Sequence, residues 1–238
     1  MSMTSTAESS DLYTARELLF CQTGIYQDEQ MRPYVIFNMI ASVDGRGAVN
    51  CASATDRRVM AQLRANVDAV VWGGGTIRRD PIALRLPPDL EHRTPLAVIW
   101  TRSGHLPAEH PLWQNERSER LIFTMTATRE LQDIPAEIRQ VDSLLQMFFV
   151  LWRDYQVRTV LVEGGPTFNS LLLSESIGEE IFLTLAPVLK GDDTPAILQT
   201  GLTSYLQLHC HSVKQVKDEI YLRYWIGGLC VESLPRRQ

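Results

Sequence analysis

The amino-acid sequence predicts an α/β fold in which a mainly parallel central sheet is flanked by helices and extended by antiparallel strands at its C-terminal end. Largely apolar runs, typical of strands buried on both faces, alternate with helical segments over most of the chain. Beyond residue 180, β-rich segments with partly alternating polarity follow one another, as antiparallel strands do. Apolar residues make up 45% of the 238 residues, which is enough for a full core.

The main body of the chain is predicted to open at Pro33. The first strand covers 34–41 and ends in the turn signal Ser42-Val43-Asp44-Gly45. Further strands are predicted over 67–72, 96–100, 120–125, 157–163, 181–187, 205–213 and 219–225. Helices are predicted over 54–65, with Ser53 as the N-cap, and over 144–155 and 167–174.

An N-terminal extension, residues 1–32, is predicted to precede a single domain over residues 33–238, because no repeat or low-complexity linker divides the chain. Within the extension we predict a helix over 11–20, with Ser9 or Ser10 as its cap. The first ten residues are polar, and no apolar run approaches the ~20 residues of a membrane span. We therefore expect a soluble, cytoplasmic protein with no membrane partner.

Charge and cysteine spacing argue against two classes of function. The formal net charge is −5 and no basic tract is present, so we expect no nucleic-acid binding. The four cysteines lie far apart without a C-x-x-C pair. His209-Cys210-His211 would alternate between the two faces of a strand, which favours a half-exposed strand with a buried thiol over a metal site.

Two glycine clusters directly follow predicted buried strands. Gly73-Gly74-Gly75-Thr76 follows one strand, and Glu163-Gly164-Gly165-Pro166-Thr167 follows another and precedes a helix. Ligands bind at the carboxyl edge of open α/β sheets, where glycine loops and helix N-termini offer N–H groups to phosphate oxygens. The clusters therefore indicate either a phosphate-bearing ligand or two tight turns chosen for backbone geometry alone.

Motifs of several common enzyme classes are missing. Neither cluster fits G-x-G-x-x-G, and G-x-x-x-x-G-K-[ST], G-x-S-x-G and H-E-x-x-H do not occur, which disfavours a Rossmann fold, a P-loop and the usual hydrolases. Asp44 and Asp80 lie near strand ends, where turn chemistry is the main alternative to binding. Several arginines flank the first glycine cluster, and one or two of them are candidates to bind a substrate phosphate.

Four ordered segments, 33–45, 63–78, 160–167 and 185–191, resemble the reductase domain of the riboflavin-biosynthesis deaminase/reductase family, and the similarity spans about residues 33–225. The resemblance implies a dihydrofolate-reductase-like fold, usually a homodimer, with NADPH as cofactor. It implies a phosphorylated pyrimidine substrate, 5-amino-6-(5-phosphoribosylamino)uracil or its 2,5-diamino-pyrimidinone counterpart, whose ribosyl group is reduced to ribityl. The hydride would pass from the nicotinamide to the sugar C1′, so no catalytic side-chain nucleophile is expected.

The resemblance and the glycine clusters together assign two sets of residues. The cofactor set comprises Ile40, Gly73, Gly74, Gly75, Thr76, Asp80, Gly164, Gly165, Pro166, Thr167, Phe168 and Leu171. Thr101 and Arg102 are hypothesised to hold the 2′-phosphate that separates NADPH from NADH. The substrate set comprises Asp44, Arg64, Leu84, Arg85 and Glu163, with Arg64 near the substrate phosphate. No metal ligand is expected.

Three departures from the family pattern keep alternatives open. The segment 46–53 lacks the longer serine-containing stretch of the family, and Asp80-Pro81 stands where Asp-Asp-Pro is usual. The H-x-E and P-C-x-x-C motifs of zinc deaminases are absent, so we expect no deamination. The alternatives are a reductase of the same fold for another carbonyl, imine or pterin-like substrate, and a non-catalytic nucleotide-binding or interaction protein.

Overall fold

The computed structural model describes residues 11–19, 30–47, 52–199, 202 and 205–229. Within these residues one sheet contains nine strands: β1 (Tyr34–Ser42), β2 (Ala69–Gly73), β3 (Leu96–Thr101), β4 (Arg120–Thr124), β5 (Glu137–Gln140), β6 (Thr159–Val162), β7 (Glu180–Ala186), β8 (Leu206–Val216) and β9 (Glu219–Leu229). The strand order is β5-β4-β3-β2-β6-β1-β7-β9-β8. Strands β1 to β7 pair in parallel, whereas β9 and β8 add antiparallel. The predicted sheet is therefore confirmed.

In the described part of the chain, four α-helices connect these strands: α1 (Ala54–Ala65), α2 (Gly74–Arg79), α3 (Leu144–Asp154) and α4 (Pro166–Ser174). The predicted cap of α1 is present, because Ser53 Oγ accepts a hydrogen bond from the Asp56 N–H at 3.0 Å. Short 3₁₀ turns cover Pro88–Leu90, Pro111–Gln114 and Glu130–Asp133. Across the residues described, each helix is too short or too polar to cross a membrane.

The core lies on both faces of the sheet, as the apolar run of the first strand predicts. Val35 and Phe37 of β1 pack with α3 and α4 on one face, while Ile36 packs with α1 on the other, and all three are fully buried. Burial of one such side chain contributes about 1.5–3 kcal/mol. The alternation therefore fixes β1 in the middle of the sheet, between β6 and β7.

The parallel strands bring the predicted site segments to one edge of the sheet. Strands β2 and β6 are direct neighbours, with Val71 opposite Val162, so the glycine clusters that follow them lie side by side. The carboxyl ends of β1 and β3 lie at the same edge.

One predicted helix in the N-terminal extension is wrong. The described residues 11–19 contain a single turn over residues 15–18 instead. Tyr13 and Leu18 are 1% and 2% exposed, because both dock on the core rather than lining one side of a helix. Helix nucleation is costly in a short segment, and tertiary docking outweighs it here. The proposed caps, Ser9 and Ser10, lie outside the described residues.

The thiol of Cys210 is exposed, not buried as predicted. Its strand, β8, is the edge of the sheet, and an irregularity between Cys210 and Ser212 interrupts the regular alternation of side chains. The sequence pattern also did not predict β5 or α2, which are only four and six residues long.

Candidate functional site

Close packing explains two of the glycines at the carboxyl edge. A Cβ atom on Gly164 would lie 2.4 Å from Cδ1 of Phe168, and one on Gly73 would lie 2.9 Å from the Cβ of the same residue. Side chains at these positions would push α4 away from the ends of β2 and β6. A Cβ on Gly75, by contrast, meets only the tip of Arg78 at 3.9 Å, so this glycine faces open space.

A cavity of about 430 Å³, here called the α2–α4 cleft, opens between the N-terminal ends of helices α2 and α4. It brings together eleven of the fourteen residues predicted to bind the cofactor, and its lining comprises Gly73, Gly74, Gly75, Thr76, Arg78, Arg79, Trp100, Thr101, Arg102, Ser103, Gly165, Pro166, Thr167, Phe168 and Leu171. The last residue of β3 and the segment that follows it therefore lie beside both glycine clusters, as the hypothesis for Thr101 and Arg102 requires.

The lining of the α2–α4 cleft suits a phosphate-bearing nucleotide. Among the described residues, the hydroxyl oxygens of Thr76 and Thr101 are buried without a hydrogen-bond partner. Helix α4 begins at Pro166, and its N-cap Gly165 makes no side-chain capping bond, so first-turn N–H groups are open to an anion. Arg102 is exposed at the rim of the cleft. These unpaired donors and a cation fit the phosphates of a dinucleotide such as NADPH.

A second cavity of about 390 Å³, here called the Glu163 pocket, adjoins the cleft. It contains the other three predicted cofactor residues, Ile40, Asp80 and Gly164, and two predicted substrate residues, Arg64 and Glu163. Four residues line both cavities: Thr76, Arg79, Gly165 and Pro166. A ligand in the cleft would therefore border directly on a ligand in the pocket.

A buried ion pair forms one wall of the Glu163 pocket. Arg64 Nε donates to Glu163 Oε1 at 2.8 Å, and Arg64 Nη2 donates to Glu163 Oε2 at 2.6 Å. Their side chains are 7% and 9% exposed. The third guanidinium nitrogen, Nη1, donates weakly to the carbonyl of Ala83 at 3.4 Å. Arg64 therefore holds Glu163 in place with both donors of its fork, and its side chain is committed before any phosphate arrives.

Asp56 is a pocket residue that the sequence pattern did not single out. It lies in the first turn of α1 and lines the Glu163 pocket. Burial raises the pKa of this carboxyl, and the negative charges of Glu219 and Glu163 add to the effect against the Thr184 bond and Arg57. The sequence shows Asp56 only as an acidic residue near a helix start, where such residues are common.

Three predicted substrate residues lie outside both cavities. Asp44 accepts from the Ser42 hydroxyl at 2.6 Å and from the N–H groups of Lys190 and Gly191 at 3.0 and 2.9 Å. These bonds hold the pKa of the Asp44 carboxyl far below its usual range and tie the turn after β1 to the loop after β7. Leu84 is buried at 1% exposure, and Arg85 is exposed beside a separate small cavity.

The sequence did not predict two further polar residues of the Glu163 pocket. Asn169 is 4% exposed, and its Oδ1 has no partner among the described residues. It follows Gly165 by one helical turn. A polar residue within the largely apolar sequence of α4 was the one feature that could have indicated a pocket residue there. Asn38 lines the same pocket from β1. Across the described ranges, three or more His, Cys, Asp or Glu side chains nowhere group closely enough to bind a metal.

An open α/β sheet that carries a nucleotide-sized cleft joined to a polar pocket at its carboxyl edge is typical of nucleotide-dependent enzymes. Residues 33–222 match the model of the RibD C-terminal domain, and the chain belongs to that family.

Named relatives agree with this assignment. The chain is 27% identical over 194 residues to the 2,5-diamino-6-ribosylamino-4(3H)-pyrimidinone 5′-phosphate reductase of Archaeoglobus fulgidus, which covers 70% of this chain and 86% of that protein. It is 32% identical over 224 residues to the riboflavin biosynthesis protein RibD of Synechocystis, which covers 85% of this chain and 60% of that protein. The solved structure of Acinetobacter baumannii RibD, form 2, has a TM-score of 0.76 at 25% identity, with 85% of this chain and 60% of that chain covered.

The chain thus spans about three fifths of the length of these two RibD proteins. The predicted α/β fold class and the predicted class of activity, an oxidoreductase of riboflavin biosynthesis, are confirmed at the level of the family.

Proposed function

We propose that this chain is an NADPH-dependent reductase that converts the ribosyl group of a ribosylaminopyrimidine 5′-phosphate into a ribityl group. The substrate is 5-amino-6-(5-phosphoribosylamino)uracil or its 2,5-diamino-pyrimidinone counterpart. The observation that carries the proposal is the direct contact between the α2–α4 cleft and the Glu163 pocket through Thr76 and Gly165. A hydride donor and its acceptor must lie side by side, and these adjoining cavities offer room for both.

The α2–α4 cleft is the proposed NADPH site. The first-turn N–H groups of Thr167 and Phe168 and the unpaired hydroxyls of Thr76 and Thr101 suit the phosphates and ribose. Arg102, at the rim, is the proposed partner of the 2′-phosphate, because a guanidinium matches phosphate geometry. When bound, NADPH supplies the hydride.

The Glu163 pocket is the proposed substrate site. Arg64 fixes the Glu163 carboxylate, so this acceptor is already oriented before the substrate binds. The remaining proposed substrate residues, Asp44, Leu84 and Arg85, rest on the family resemblance alone. A homodimeric, cytoplasmic enzyme that binds no nucleic acid, with residues 1–32 as an extension of one domain, completes the proposal.

A second candidate is a reductase of the same fold with a different substrate. The observation that favours it is the state of Arg64, the arginine predicted to lie near the substrate phosphate, because its side chain is committed to Glu163. A carbonyl or imine substrate without a phosphate would fit such a pocket.

The test mixes purified protein with NADPH and the two ribosylaminopyrimidine phosphates separately, and follows the loss of nicotinamide absorbance. Oxidation that requires enzyme and either substrate supports the pathway reductase. Binding of NADPH without oxidation favours the second candidate. If neither binding nor oxidation occurs, the enzyme proposal is wrong.

A further inference from the structure

Three carboxylates line the Glu163 pocket, and they differ in the side chains with which each is already paired. Both oxygens of Glu163 accept from Arg64, and the Asp80 carboxylate accepts from Arg79 at 2.7 Å. Asp56, by contrast, forms no salt bridge in the part of the chain that the structure describes. Asp56 is therefore the carboxylate of this pocket that no arginine already holds in a salt bridge.

The surroundings of Asp56 favour a ligand that donates hydrogen bonds. Glu219 lies behind it, where it accepts hydrogen bonds from the hydroxyls of Ser53 and Tyr221, both at 2.5 Å. Burial and the nearby negative charges raise the pKa of the Asp56 carboxyl, with Arg57 as the counteracting charge. An acceptor such as a carbonyl oxygen would add to this repulsion, whereas N–H groups would relieve it.

A second, independent observation also points to a ligand in this pocket. Asn169 Oδ1 and Thr76 Oγ1 belong to side chains that are only 4% and 7% exposed, and both atoms lack partners among the described residues. Buried polar atoms are nearly always satisfied, so their partners are expected from a bound molecule. Oδ1 is an acceptor, as Asp56 is, and the pocket therefore presents several acceptors to one ligand.

We propose that Asp56 selects the pyrimidine base: its carboxylate accepts two parallel hydrogen bonds from the ring N3–H and the 2-amino group of the diaminopyrimidinone, and it disfavours the uracil form. This inference rests on the function proposed above. The two substrates differ at position 2 of the ring, which bears an amino donor in one and a carbonyl acceptor in the other. A carboxylate matches the donor–donor edge, whereas against the uracil edge one of its oxygens would face C2=O.

The decisive variant is Asp56→Asn. Its amide offers one acceptor and one donor, which matches N3–H and C2=O of the uracil form. We expect the wild-type protein to reduce the diaminopyrimidinone phosphate with a kcat/KM at least about 100-fold above that for the uracil phosphate, since a site built for a donor rejects analogues that lack it. In Asp56→Asn the ratio should fall by about 100-fold or more, mostly through KM. Asp154→Asn makes the same chemical change at an exposed position paired with Arg153 and should keep the wild-type ratio.

The outcomes distinguish a failure of the proposed function from a failure of the Asp56 assignment. If the wild-type protein reduces neither substrate, the proposed function fails. If it reduces one or both and Asp56→Asn leaves the ratio unchanged, the assignment of Asp56 is overturned.

A binding measurement on the wild-type protein keeps the assignment testable even if Asp56→Asn does not fold. With NADP⁺ present, calorimetry compares the free bases 2,5,6-triaminopyrimidin-4-one and 5,6-diaminouracil. At least about tenfold tighter binding of the first supports the assignment. Equal binding, or tighter binding of the second, contradicts it.

Discussion

Replacing Arg64 by alanine should strongly destabilise the protein, because it leaves the Glu163 carboxylate buried without its counter-charge. The two side chains are 7% and 9% exposed, and two hydrogen bonds of 2.8 and 2.6 Å join them. Removal of one partner from a buried ion pair costs about 3–5 kcal/mol. We expect the free energy of unfolding to fall within this range.

Urea denaturation followed by tryptophan fluorescence measures this loss, since Trp72 is fully buried and lines the same pocket. The double variant Arg64→Met/Glu163→Gln removes both charges and should recover a large part of the stability. Arg153→Ala, which breaks an exposed pair with Asp154, is the matched control and should leave the denaturation midpoint unchanged. A loss below about 1 kcal/mol for Arg64→Ala would refute the buried pair, because solvent-exposed pairs contribute at that level.

Three further predictions concern packing, cofactor choice and acid stability. Gly164→Ala should lower the melting temperature and weaken NADPH binding, because its Cβ would lie 2.4 Å from the ring of Phe168. The control Gly75→Ala faces open space and should keep the wild-type melting temperature. Equal melting temperatures of the two variants would contradict the packing argument. Arg102→Ala should weaken NADPH binding by about tenfold or more with little effect on NADH, as measured by fluorescence titration, and an unchanged NADPH affinity would remove it from the 2′-phosphate site. Burial would raise the pKa of Glu17, but hydrogen bonds led by the Lys214 ammonium lower it to about 2. The stability that this pair contributes is therefore present above pH ~4.3 and is lost as the pH falls towards 2. Lys214→Met should flatten this part of the profile of melting temperature against pH, and an unaltered profile would contradict the assignment.

Much of the fold follows from local patterns. The apolar run 34–41 predicted a strand buried on both faces, and Ile36 and Phe37 indeed enter opposite halves of the core. The glycine clusters were predicted to share an edge, because parallel strands end together, and β2 and β6 prove to be neighbours. These features depend on residues close in sequence and on the general geometry of parallel sheets.

Other features depend on contacts that no local pattern contains. Arg64 and Glu163 are 99 residues apart, so the sequence showed two charged residues but not that they form an ion pair with each other. Asp56 was inconspicuous because acidic residues are ordinary in the first turn of a helix. Docking of Tyr13 onto the core replaced the helix predicted over 11–20, and the edge position of β8 exposed the thiol of Cys210.

In the proposed reaction, the two adjoining cavities bring a nicotinamide and a sugar C1′ together. The measurement uses NADPH that carries deuterium at both C4 positions of the nicotinamide, together with each ribosylaminopyrimidine phosphate, and analyses the product by mass spectrometry and NMR. We expect a ribityl product in which one deuterium lies on C1′. NADPH oxidation without deuterium on C1′, or no ribityl product from either substrate, would contradict it.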